Sequence, residues 1–103
     1  MLDGLFIGLV EQGIGLLQTE KNYSESVKRF KLATEVNPDR PGAFFYLAWA
    51  YAANRDKKKS LQFLNTAVEK GFSDAAMITA TKAFDSIRSD PEYQQIMAKL
   101  GKQ

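Results

Sequence analysis

SVKRFKLATE, residues 26–35, returns 34 positions later as SLQFLNTAVE, residues 60–69. Ser26, Val27, Phe30, Ala33 and Glu35 become Ser60, Leu61, Leu64, Ala67 and Glu69, a small, apolar, apolar, small, acidic pattern on one helical face. A period of this length marks helical hairpins that cannot bury their apolar faces alone and therefore stack. Such a chain presents a surface instead of building a reaction centre, so the pattern implies binding.

Caps and breaks divide the remaining sequence into helices. The first is expected over about Leu5 to Thr19, with Leu5, Phe6, Leu9, Val10, Leu16 and Leu17 as a wide apolar face. It contains Gly8, Gly13 and Gly15. Each costs about 1 kcal/mol relative to Ala inside a helix, which predicts that another backbone packs closely against them. Asn22 caps a second helix from Tyr23 to Val36, with Glu25 placed to complete a capping box, and Pro38 ends it. Pro41 stands at the first position of a third helix that reaches about Ala53. Asp56 caps a fourth that runs to Lys70 and stops at Gly71. Ser73 or Asp74 opens a short fifth helix ending near Thr81, and Asp90 with Pro91 begins a last one that ends before Gly101. No stretch alternates with period two, so the fold class is all-α.

Composition narrows the chemistry. The chain has 103 residues, 14 basic and 12 acidic, for a net charge of +2. One domain of this length buries roughly 60–70% of the surface its unfolded chain exposes, enough for a single core. The near-neutral balance gives no global field toward nucleic acid, an anionic membrane or acidic ligands. Cysteine and histidine are absent. Disulfides, thiolate or imidazole metal sites, Cys or His nucleophiles and a histidine base are therefore excluded. The apolar start, MLDGLFIGLVEQGIGLL, lacks a basic n-region, and Glu11 interrupts a run far shorter than the roughly 20 residues of a spanning helix. It is expected to be a core-facing helix of a soluble, cytoplasmic protein.

The residues of the second unit, 41–74, resemble a tetratricopeptide repeat: Phe44, Leu47, Ala48 and Tyr51 on its first helix, then Ser60, Leu64 and Ala67 on its second. The first unit, 7–40, carries Val10, Gly13, Ile14, Leu17, Ser26, Phe30, Ala33 and Pro38, matching well on the second helix and poorly on the first. Residues 75–100 resemble the divergent ending of such arrays, with Ile87, Tyr93, Ile96, Met97 and Leu100 as the apolar side of a cap over unit two. The resemblance implies antiparallel hairpins stacked as a short right-handed α-solenoid, and a concave groove lined by the first helix of each unit.

Carried over residue by residue, the family's groove positions fall on Gly8, Glu11, Gly15, Gln18 and Thr19 in unit one. In unit two they fall on Gly42, Phe45, Trp49, Ala52 and Ala53. Phe45 and Trp49 lie one turn apart, outside the stripe formed by Phe44, Leu47, Ala48 and Tyr51, and an exposed aromatic pair of that kind marks an interaction site. The competing reading is that the fifth helix or the C-terminal segment covers them. Members of the family that clasp a terminal carboxylate place Lys, Asn and Arg where this chain has Glu11, Gly15, Phe45 and Trp49, so a carboxylate clamp is not expected. Arg55, Lys57, Lys58 and Lys59 read as a solvated turn, without the interleaved aromatics of a nucleic-acid site. Glu35, Glu69, Asp85, Asp90 and Glu92 form no recognisable acid–base pair, and no phosphate loop or dinucleotide fingerprint is present. No catalytic residue, cofactor or metal is expected. The expected function is a protein-binding scaffold that takes a peptide or helix in an apolar groove; a homodimerisation element, or a docking appendage of a larger enzyme, are the alternatives.

Overall fold

A computed structural model describes residues 2–101, and every regular element in them is helical. Helix α1 (Leu2–Ile14) runs into a π-helical turn (Gly15–Thr19). Then come α2 (Tyr23–Val36), α3 (Pro41–Ala53), α4 (Lys57–Glu69), α5 (Ala75–Ala80), a 3-10 turn (Lys82–Ile87) and α6 (Pro91–Gly101). The expected first helix thus changes winding at Gly15, and the last takes in Gly101 instead of stopping short of it.

The punctuation acts through backbone hydrogen bonds. Asn22, Asp56 and Asp74 each accept from the amide three residues on, satisfying a donor that the helix start leaves free. The Glu25 carboxylate, placed for a capping box, instead pairs with Lys28 at 3.3 Å and Arg29 at 3.7 Å. Helix α4 closes in a Schellman arrangement. Gly71 stands at φ 112°, its amide donates to Val68 O at 3.0 Å, and the Phe72 amide donates to Ala67 O at 2.9 Å. Arg55 ends α3 in the same way at φ 64°, with Arg55 N to Ala52 O at 3.0 Å and Asp56 N to Tyr51 O at 2.9 Å.

Helices α1 and α2 pack as one antiparallel hairpin, α3 and α4 as a second, and α2 packs on α3. Each hairpin is tied near its turn by a buried serine. Ser26 Oγ donates to Gly13 O at 2.9 Å, and Ser60 Oγ donates to Ala48 O at 2.8 Å. Gly13 explains the cost of its missing side chain, because a Cβ there would lie 2.6–2.8 Å from the buried ring of Phe30. Gly8 and Gly15 have nothing within 4 Å of that position. Of the three glycines only Gly13 has a close neighbour, and it is a side-chain ring, not the backbone that was expected.

The core runs through the molecule as three adjoining clusters. Phe6, Leu9, Ala33 and Ala43 lie at one end, and Leu17, Phe30, Leu47, Ala50 and Tyr51 lie in the middle. A larger group at the other end joins α3 and α4 to Ile78, Phe84, Ile87, Tyr93 and Ile96 of the C-terminal segment. The 3-10 turn packs on α3 and α6 packs on α4. Arg88 locks this end: Nη2 donates to the carbonyls of Thr79 and Thr81 at 2.9 Å, Nη1 donates to the Tyr93 hydroxyl at 2.8 Å, and Nε pairs with Asp85 at 2.8 Å. The radius of gyration, 12.8 Å, is that of a globular domain of this length.

Candidate interaction groove

Helix α3 is apolar on every side because it is central: it meets α2 on one flank, α4 on another and the 3-10 turn on a third. None of its residues is fully exposed. Its least buried edge is Gly42, Tyr46, Trp49 and Ala53, which follow one another at helical spacing. Over these eleven steps the edge extends about 16 Å. Two open depressions lie at its ends.

The larger, about 730 Å³, is bounded by the π-turn, the start of α2, the end of α3 and the segment from α5 into the 3-10 turn. Trp49, Leu17, Ala53, Met77, Ala80 and Ala83 give it an apolar lining, while Gln18, Tyr23 and Thr81 add polar atoms. The Thr81 hydroxyl is already committed to Met77 O at 2.7 Å. The smaller depression, about 260 Å³, lies between α1 and the start of α3 and is lined by Phe6, Val10, Gly42, Ala43 and Tyr46, with Arg40 and Pro41 at its margin. Between the two, Tyr46 and Trp49 stack at 5.9 Å, and Phe30 stacks on Tyr46 at 5.4 Å. The ionisable groups on these linings are the cations Lys21, Arg40 and Lys82 and the phenols Tyr23 and Tyr46; no carboxylate lines either depression.

Of the expected contact residues, Gln18, Trp49 and Ala53 meet in the larger depression, and Gly42 lies in the smaller. Phe45 is corrected. It is 0% exposed, stacked on Phe72 at 4.6 Å and set edge-on to Phe84 at 5.9 Å. The turn at Gly71 brings Phe72 back over it, so the competing reading applies in full to Phe45 and in part to Trp49, which is half-buried, packed in the same cluster as Met77 and Ala83, and still lines the larger depression. Ala52 is likewise buried, beside Phe45 in the same cluster. Glu11 is exposed and Gly15 half-buried, and neither lines a depression.

The misplacement in unit one has a structural cause. The 34-residue period pairs Ala48 with Ile14, yet the serine that marks the period reaches Gly13. Upstream of the π-turn the correspondence is therefore 35, because that turn holds one extra residue. The same excess shows in the backbone: Asn22 N reaches back six residues to Leu16 O at 2.8 Å, whereas Asp56 N reaches back five, to Tyr51 O. Shifting by one replaces Gly8, Glu11 and Gly15 with Ile7, Val10 and Ile14 on the flank of α1 beside α3. Val10 and Ile14 are half-buried there, and Ile7 is 52% exposed. The signal was legible in the small residues, with Gly13 thirteen positions before its serine and Ala48 twelve. Tyr46, Met77, Ala83, Lys21 and Lys82 also line the depressions and were missed, Ala83 and Lys82 because they sit on a turn outside the repeat pattern and Lys21 because it belongs to the turn between the helices of the first hairpin.

The acids considered for catalysis are dispersed. Asp85 pairs with Arg88, Glu69 with Lys99 at 3.8 Å, and Asp90 accepts from the Glu92 amide at 2.8 Å. Among the described residues no three carboxylates gather where a metal could sit, and no helix is long and apolar enough to cross a membrane. Compared with models of known protein families, with curated proteins and with solved structures, the chain matches none.

Proposed function

We propose that this chain is a protein-binding module made of two tetratricopeptide-like hairpins and a C-terminal cap, stacked as a short solenoid. It takes a segment of a partner protein along the Gly42–Ala53 edge of α3. The observation that carries the reading is Trp49, a half-buried indole that opens onto a groove of about 730 Å³ lined mainly by apolar groups. A large aromatic on the wall of such a groove is the usual anchor of an interface. The recurrence of the αL turn residue, the capping residue and the buried serine at the period of the sequence supports the repeat architecture.

The test is selection of a random dodecapeptide display library on the native chain and on Trp49→Ala, with circular dichroism to confirm that the variant folds. The native chain is expected to enrich a recurring apolar motif whose members bind the variant about thirtyfold more weakly, corresponding to about 2 kcal/mol for an anchor aromatic. No recurring motif, or equal binding to both proteins, defeats the reading. Light scattering over a concentration series covers the competing occupant. A native dimer that becomes monomeric in Trp49→Ala would assign the groove to a second copy of the chain.

A further inference from the structure

The groove carries information about its occupant in its charge and in its backbone. All the ions on the two linings are positive. Lys21 and Lys82 stand at the larger depression and Arg40 at the smaller, where its guanidinium lies 5.5 Å from the centre of the Phe6 ring. None of the ion pairs among the described residues uses these three side chains. The chain as a whole is nearly balanced, with 14 basic and 12 acidic residues, so the sign of this edge is a local property. Lys21 is also held in place, because it occupies the left-handed turn position at φ 55° immediately before the Asn22 cap.

The walls are helices, helix ends and turns, and among the described residues there is no strand. The carbonyls of Thr79 and Thr81, at the end of α5, accept from Arg88. Such a groove has no strand edge to pair with an extended chain. An occupant that buries its backbone here must satisfy its own hydrogen bonds, which a helix does. Ala53, Ala80 and Ala83 leave room for a second helix to approach, and Met77 adapts to its side chains.

Resting on the binding reading above, we propose that the occupant is an amphipathic helix of a partner protein whose apolar face is flanked by carboxylates. Its apolar side chains lie against Trp49, Leu17 and Met77, and its acids meet Lys21 and Lys82 at one end and Arg40 at the other.

The experiment uses two display libraries built on the same fourteen-residue helix. Apolar positions are randomised among Leu, Ile, Phe, Met and Ala, and flanking positions are fixed as Glu in one library and Lys in the other. The full chain is expected to enrich binders from the Glu library, with affinity falling about tenfold between 50 and 500 mM salt. The Lys21→Glu/Lys82→Glu double variant changes only exposed side chains and is expected to reverse the preference. Trp49→Ala is expected to lose binders from both libraries. Equal yields from the two libraries, a preference for Lys, or a Glu preference that survives the double variant overturns the proposal and leaves the binding reading standing. No binders from either library, with none from the random library, defeats both.

Discussion

Hairpin α1–α2 and hairpin α3–α4 turn by the same devices and differ by one residue. Lys21 and Arg55 take the left-handed position 34 residues apart, Asn22 and Asp56 cap the second helices, and Ser26 and Ser60 reach back to the first. Thirteen residues separate serine from carbonyl in the first hairpin and twelve in the second. A regular helix would answer one added residue by turning everything upstream about 100° out of register. The π-turn absorbs it instead, so Gly13 still faces Phe30. Packing opposite the serine and the phenylalanine therefore sets the register of α1 more strongly than the count of residues does. The price is one weaker turn of helix between Gly15 and Thr19.

Equivalent positions in the two hairpins should then carry unequal weight. With the one-residue correction Val10 is the counterpart of Phe45. Phe45 is closed in by Phe72 and Phe84, while Val10 is half-buried at the margin of a groove. Phe45→Ala should lower unfolding stability by about 3–5 kcal/mol and Val10→Ala by about 1 kcal/mol, read by urea denaturation. Equal losses would break the distinction between the covered hairpin and the open one. Gly13→Ala comes next. The added methyl meets a fully buried ring that has nowhere to move, so a loss of about 1–3 kcal/mol is expected, against a gain of about 1 kcal/mol from helix propensity. At Gly8, where the added methyl meets open space, the propensity term acts alone, and Gly8→Ala should raise stability by about 0.5–1 kcal/mol. A gain at both glycines would mean that α1 does not sit against Phe30.

The helices were legible because their signals are local. Asn22, Asp56 and Asp74 act within three residues of themselves, and Pro41 and Gly71 act at a single backbone position. The pairing of the second helices was legible for a similar reason, since SVKRFKLATE and SLQFLNTAVE carry the same face at the same spacing. Phe45 was misread because its burial depends on Phe72, past the turn that ends α4, and on Phe84 in the divergent C-terminal segment, 27 and 39 residues downstream. Without knowledge of what packs on the far side of α3, an all-apolar helix offers no polar face to show which edge stays open. Trp49 and Ala53 were placed from the same pattern as Phe45, and they line the larger depression because α3 turns them about 40° and 80° from the direction of Phe45. The groove face of α1 was missed by one residue, since a π-turn has no composition of its own in GLLQT.

That extra residue also gives the sharpest comparison, through an effect expected to be small. Thr19 is exposed within the π-turn, and its deletion gives the first hairpin the same twelve-residue interval as the second. The turn can then close as ordinary α-helix. Glu20 takes the place that Asn54 holds in the second hairpin, and Gly13 remains opposite Ser26. Stability should stay within about 1 kcal/mol of the native value, since one π-turn is exchanged for a regular one and no buried side chain is lost. If α1 instead followed the 34-residue count, the deletion would rotate it and carry Phe6 and Leu9 out of the core, at a cost of several kcal/mol. Gly13→Ala made in the shortened chain separates the two cases even when overall stability changes little. It should cost as much there as in the native chain, because the same ring stands over the same glycine. A harmless Gly13→Ala in the shortened chain would show that α1 had turned, and that the extra residue, not the glycine–phenylalanine contact, holds the register.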